Sequence, residues 1–204
     1  MTDYTHFTDI PSMQVMATKS RDSSLSGHLL SQVHQKMGEY LGQHIIGLIG
    51  LEEIEFQHVQ GIRKGSAVST KSNIVILPLL RAGLFAGLGI WDSLPSAAFV
   101  PITPIRGEKL ANFQVKGMPS LNDMIVIVAD AVINTGGSLE PVINWILEQN
   151  PHQVIVSSLV TPVPTAKRLA VDYPNVEWVH ARVSNNQYVG KGGTDTGNRL
   201  FNTK

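Results

Sequence analysis

The residues best able to do chemistry in this chain fall in one stretch, DAVINTGGS, from Asp130 to Ser138. An apolar run, IVIVA (125–129), leads into a single acid. Two adjacent glycines follow, and then an amphipathic segment opens with SLEPVINWILEQ (138–149). A carboxylate closing a buried strand is costly unless something solvates it. Gly136 and Gly137 allow backbone shapes in which successive N–H groups point to one spot. A helix start adds partial positive charge, and Thr135 and Ser138 add hydroxyl donors. Together these parts make a pocket for a phosphate dianion. Asp130, an acceptor only, suits the hydroxyls of a sugar attached to that phosphate. TGGS alone would read as a tight turn with a serine cap; the strand before it and the helix after it favour phosphate. A nucleoside-triphosphatase loop is excluded, because that motif needs a lysine after its last glycine and here Ser138 and Leu139 follow. The G-x-G-x-x-G spacing of a dinucleotide fingerprint is also absent. GLFAGLG (83–89) matches it poorly, and its glycines are expected to let a helix pack closely.

The elements that must position this stretch alternate. NIVILPLL (73–80), AAFVPI (97–102), IVIVAD (125–130), VIVSSLV (154–160) and VEWVHARV (176–183) read as strands. RAGLFAGLGIW (81–91), SLEPVINWILEQ (138–149) and TAKRLAVDY (165–173) read as helices. Upstream, residues 1–22 are expected to form an arm or irregular lead-in. A helix is predicted from Ser23, with Leu25, Leu29, Val33 and Met37 on a stripe widened by Leu30, Tyr40, Leu41 and Ile45. Ser23 or Ser24 would cap it and Gly50 would stop it. IEFQHV (54–59) is β-like. Apolar strands alternating with helices predict an α/β fold with a mainly parallel sheet covered on both faces. Ligands sit beyond the carboxyl ends of such strands, which puts Arg81, the loop after Ile102 and the loop after Asp130 at one edge.

Composition narrows the class. The 204 residues suit one domain, 1–204, and 43% of them are apolar. Sixteen basic residues balance sixteen acidic ones, which argues against a nucleic-acid partner. There are no cysteines, so a disulfide scaffold, a thiolate metal site and a cysteine nucleophile are excluded. No run approaches the roughly 18 apolar residues of a membrane span. With no signal-peptide pattern at the start, a soluble cytoplasmic protein without a membrane partner is expected.

DAVINTGGS resembles the phosphoribosyl-pyrophosphate signature of the type I phosphoribosyltransferases, in the single-acid form of the uracil phosphoribosyltransferases. LPLLRAGL (77–84) resembles that family's pyrophosphate loop, and PIRGEK (104–109) its arginine-containing loop. YVGKGGTDTGNRLF (188–201) resembles its base-binding segment, and TKSRD (18–22) its N-terminal segment. The resemblance implies the type I fold with an N-terminal helix and a C-terminal base-binding segment. It also implies transfer of a phosphoribosyl group from phosphoribosyl pyrophosphate (PRPP) to uracil, giving UMP and pyrophosphate in pyrimidine salvage. Arg81 and Arg106 would hold the pyrophosphate. Asp130, Asn134, Thr135, Gly136, Gly137 and Ser138 would hold the phosphoribosyl part. Val189, Thr194 and Thr196 would read the pyrimidine through the backbone, with Asp195 near the ribose and metal. Mg2+ would be carried by the substrate's oxygens with no dedicated protein cage, and the chain would form a homodimer or higher homo-oligomer.

The departures from the family pattern gather on the base side. Lys191 stands for a proline, Thr194 for a glycine and Asn198 for an aspartate; TPVPTAKRL (161–169) lacks an acid, and GIRKGS (61–66) lacks an E-T-P. A threonine at a glycine position adds a Cβ that disfavours a positive φ. On the donor side, Asn134 replaces an alanine. Two other readings therefore stand beside uracil: a phosphoribosyltransferase for another nitrogen heterocycle, and a non-catalytic regulator that binds PRPP or a nucleotide.

Overall fold

The computed structural model describes residues 4–69, 73–105, 108–110, 117–187 and 190–203. β1 (Thr5–His6) and α1 (Pro11–Arg21) open the chain, followed by the long α2 (Gly27–Ile49). A hairpin of β2 (Leu51–His58) and β3 (Gly61–Val68) comes next. The alternating part consists of β4 (Ile74–Pro78), α3 (Leu84–Ser93), β5 (Ala98–Phe99), β6 (Ile125–Val132), α4 (Glu140–Leu147), β7 (Gln153–Pro162), α5 (Val163–Asp172), β8 (Val176–His180) and β9 (Val183–Ser184). A 3-10 turn (Gly192–Thr194) and α6 (Thr196–Phe201) close the order.

The main sheet runs β1-β8-β7-β6-β4-β5, with β9 beside the end of β7. Every pairing in it is parallel. Alternate side chains leave opposite faces. Ile74, Ile76, Ile125, Ile127 and Ile155 pack toward α1, α2 and α3 through Met13, Met37, Leu41 and Ile90. Val75, Leu77, Val126, Val128 and Val156 pack toward α4 and α5 through Val142, Ile143, Ile146 and Leu169. Burial on both faces is why these strands read as unbroken apolar runs.

Three expectations change. Residues 11–21 are helical rather than an irregular arm: Pro11 sits in the first turn, and Met13 and Ala17 alone are buried. Two buried residues on a polar helix leave too narrow a stripe to be seen as periodicity. In α2 the buried face carries Leu30, His34, Met37, Leu41 and Ile45 with Gly38 and Gly42, while Leu29 is 60% exposed. The N-cap is Ser26, without a side-chain bond; Ser24 instead bonds Asp22 Oδ1 through its amide (2.9 Å) and hydroxyl (2.7 Å). IEFQHV is β-structure as expected, in a two-stranded antiparallel hairpin with β3 apart from the main sheet. AAFVPI shortens to Ala98–Phe99, because Pro101 has no N–H to give; Val100 and Ile102 still donate to Ile76 and Pro78.

The α2 face is chosen by close approach to α3. A methyl on Gly38 would land on the Ala86 carbonyl, and one on Gly89 on the Gln35 carbonyl and 2.5 Å from Glu39 N. The glycines of 83–89 thus do let a helix pack closely. Gly89→Ala is expected to cost about 3 kcal/mol by forcing the helices apart, which lowers Tm by roughly 6–12 °C in a chain of this size. A circular-dichroism melt matching the wild type would contradict this packing.

Candidate active site

The carboxyl ends of β4, β6, β7 and β8 open into one cavity of about 630 Å3. Arg81, Asp130, Asn134 and Ser138 line it from the sheet, and Thr194, Asp195 and Thr196 from the C-terminal segment. Arg106 and Val189 lie outside the described residues. Thr135, Gly136 and Gly137 complete the turn between Asn134 and Ser138 but do not form the cavity wall.

The turn after β6 is clamped from its outer side. Thr165 Oγ1 donates to the Asn134 carbonyl (2.7 Å). Arg168 Nη2 donates to the Thr135 carbonyl (2.8 Å) and to Glu140 Oε1 (2.6 Å), while its Nη1 reaches Asp172 Oδ2 (2.8 Å). Gly136 has φ +87°, and its carbonyl accepts from the amides of Leu139 and Glu140. Carbonyls held toward α4 and α5 leave the opposite side to N–H groups. The amides of Asn134, Gly136, Gly137 and Ser138 have no hydrogen-bond partner among the described residues. Unpaired amides ahead of a helix start suit an anion.

β6 continues two residues past Asp130, which is therefore not its last residue. Asp130 Oδ1 accepts from the amides of Ala131 (2.7 Å) and Val132 (3.5 Å). Those bonds lower its pKa, but burial outweighs them and pushes it up to about 7. A carboxyl with a raised folded pKa favours folding fully below its unfolded value of 3.8 and loses that contribution as pH rises through about 7. Asp130→Asn removes the titration. The Tm advantage of Asp130→Asn over wild type should grow between pH 4 and 7 and then level off, and a pH-independent difference would contradict the burial of this carboxyl.

Arg81 follows β4 in a turn pinned to its neighbours. Gly83 N donates to the Leu79 carbonyl (2.9 Å) and Leu80 N to the Ile102 carbonyl (2.8 Å). A Cβ on Gly83 would strike the Ala129 carbonyl of β6, so only glycine lets the turn lie this close. The Arg81 side chain is exposed. Its Nη2 donates to Asn198 Oδ1 (2.7 Å), its Nη1 to Thr203 Oγ1 (3.2 Å), and it lies over the Phe201 ring at 5.7 Å. Both hydrogen-bonding partners are neutral, and three of its five N–H donors stay available.

The C-terminal departures have local explanations. Thr194 is not among the residues with positive φ. Its hydroxyl accepts from Lys191 N (3.0 Å) and donates to the Lys191 carbonyl (2.9 Å), closing the 3-10 turn. Asn198 donates from Nδ2 to the Gly192 carbonyl (2.9 Å) while accepting from Arg81. A carboxylate at 198 could not make the first bond. Asp195 caps α6 by accepting from Asn198 N (2.9 Å).

Sequence reasoning missed part of the wall. Ser20, Arg21, His34, Arg182 and Arg199 also line the cavity. Arg199 holds the link between α1 and α2 through the carbonyls of Ser20, Asp22 and Leu25. TKSRD pointed to the first two of these residues. His34 and Arg182 carry no spacing signal, and only the fold brings them to the site. His180 is buried away from it, with Nδ1 2.8 Å from Ser158 Oγ; burial holds its pKa down to about 3.

A parallel α/β sheet with unpaired turn amides, a carboxylate on the cavity wall and an arginine with free donors at its carboxyl edge has the chemistry that suits a phosphorylated sugar. The comparisons with known proteins sharpen that class. The family model for uracil phosphoribosyltransferase matches residues 7–203. The uracil phosphoribosyltransferase of Acholeplasma laidlawii is 33% identical over 161 residues, 76% of this chain and 77% of the relative. That of Dictyoglomus turgidum is 26% identical over 203 residues, covering 96% and 98%. The AQ2163 protein of Aquifex aeolicus superposes with a TM-score of 0.78 at 23% identity over 96% of this chain and 97% of that one. A purine phosphoribosyltransferase from Pyrococcus horikoshii shares the fold more loosely, with a TM-score of 0.50 at 15% identity over 78% and 87%. The chain belongs to the uracil phosphoribosyltransferase family and is a phosphoribosyltransferase enzyme. No helix among the described residues is long and apolar enough to cross a membrane.

Proposed function

We propose that the enzyme transfers the 5-phosphoribosyl group of PRPP to uracil, releasing pyrophosphate and UMP. The observation that carries this reading is that the turn after β6, with its unpaired amides, meets Arg81 and Asp130 in a single cavity through Asn134 and Ser138. The turn's amides take the 5-phosphate. Asp130 accepts hydrogen bonds from ribose hydroxyls, and Arg81 turns its free donors onto the diphosphate. As the bond from C1 to the diphosphate oxygen breaks, its electron pair leaves with the diphosphate and C1 gains oxocarbenium character. A ring nitrogen of the base then bonds C1 from the opposite face, and its proton passes to solvent. The protein stabilises the departing charge and holds both partners in line.

Mg2+ suits this arrangement as an ion brought in on diphosphate oxygens, supplying charge neutralisation. Among the described residues no three His, Asp or Glu side chains cluster. Asp130, and Asp195 through the oxygen its cap leaves free, are the cavity carboxylates that would complete such an ion's shell. Incubation with PRPP, Mg2+ and uracil should yield UMP and pyrophosphate in equal amounts. No product at high enzyme concentration, with any of a panel of free bases, would overturn the reading.

A further inference from the structure

The β8 end of the cavity carries charge that transfer to uracil does not use. Arg182, just past β8, is half-buried, and its side chain makes no hydrogen bond or ion pair among the described residues. Arg21, at the end of α1, lines the same cavity with only its Nε engaged, on the Ala17 carbonyl (3.0 Å). Burial, and then repulsion from Arg21, lower the pKa of Arg182. His34 of α2 is 3% exposed, lines the cavity and has an Nδ1 without a partner. Burial, and then Arg199, hold its pKa down to about 4, so it is neutral at physiological pH.

Sheet order says which substrate meets these groups. Along the carboxyl edge the strands run β8, β7, β6 and β4. Arg81 occupies the β4 end and the phosphate turn the middle. The leaving diphosphate and the attacking base must lie on opposite faces of the ribose, so the base falls at the β8 end. Among the described residues, the acids on the cavity wall are Asp130, in the middle, and Asp195, which caps α6 through Oδ1. Ser20, Ser184 and Asn186 add neutral groups. Two guanidiniums therefore reach the cavity without an ion pair among the described residues. A neutral ring gives neither a partner, and the half-buried Arg182 carries the cost of desolvation and of repulsion from Arg21.

We propose that the preferred acceptor is a nitrogen heterocycle bearing a carboxylate, gripped by Arg182 and Arg21, with His34 against a polar edge of the ring. Guanidinium forks match carboxylates in geometry as well as charge. The inference rests on the phosphoribosyl-transfer reading and replaces only its acceptor.

The test is pyrophosphate release from PRPP and Mg2+ with uracil, 5-carboxyuracil and 6-carboxyuracil at matched concentrations, with calorimetric binding of PRPP in parallel. At least one carboxylate should exceed uracil in kcat/KM by about tenfold or more, as expected for a charge-assisted hydrogen bond. Arg182→Met should cut that substrate's kcat/KM by about 30-fold and so remove its advantage over uracil. Arg21→Met, at an exposed side chain, should act in the same direction if Arg182→Met proves unstable. Uracil as the best acceptor, or variants that affect both kinds of base equally, would overturn the inference and leave phosphoribosyl transfer standing. If PRPP fails to bind and no base releases pyrophosphate, both readings fall together.

Discussion

Arg81→Ala should lower kcat/KM by on the order of 100- to 1000-fold, the cost of removing one pre-set donor from developing negative charge. Arg81 is oriented by neutral partners, Asn198 and Thr203, and by the Phe201 ring beneath it. Its positive charge is therefore not consumed in an ion pair, and its remaining donors are free to follow the diphosphate as the C1–O bond lengthens. The side chain is exposed, so the loss should appear in turnover while the melting temperature stays close to wild type. Arg81→Lys should recover only part of the rate, because an ammonium cannot fork onto two oxygens while keeping Asn198. A variant within about threefold of wild type would mean that the charge is stabilised elsewhere.

Gly136→Val should damage donor binding without unfolding the chain. The backbone at 136 has φ +87°, which a β-branched residue resists. Its Cβ would also sit 2.5 Å from Glu140 Oε1 and 3.0 Å from Arg168 Nη2, in the middle of the clamp that fixes the turn. If the turn reshapes to relieve strain of about 2–3 kcal/mol, its amides leave their positions. The KM for PRPP then rises by roughly 30- to 150-fold, the same free energy expressed as affinity. With saturating donor, kcat should change far less, since the diphosphate end is untouched. Steady-state rates at varied PRPP separate the two, and an unchanged KM would contradict an amide cradle at this turn.

Much of this site was legible because its parts are local. Asp130, Asn134 and Ser138 come from one strand-turn-helix unit, and Arg81 lies in the turn after a strand whose buried character is plain from Ile74 to Pro78. The parallel sheet followed from the same runs. Non-local contacts were harder to read. The helix at 11–21 buries only Met13 and Ala17, and α2 turns its glycines rather than Leu29 toward its neighbour, because the closest contact of two helices favours the smallest residues. Asn198 read as a lost charge. In the fold it gains a role that a carboxylate could not fill, joining Gly192 to Arg81. His34 and Arg182, 148 positions apart in the chain, carry no pattern that links them to each other or to the donor signature, and only the cavity brings them together.

The most direct measurement is a crystal structure of the chain with PRPP and Mg2+. The account predicts the 5-phosphate on the amides between Asn134 and Ser138, the ribose hydroxyls on Asp130, and the diphosphate within hydrogen-bond reach of Arg81. A 5-phosphate bound away from that turn, with Arg81 still fully engaged by Asn198 and Thr203, would contradict it.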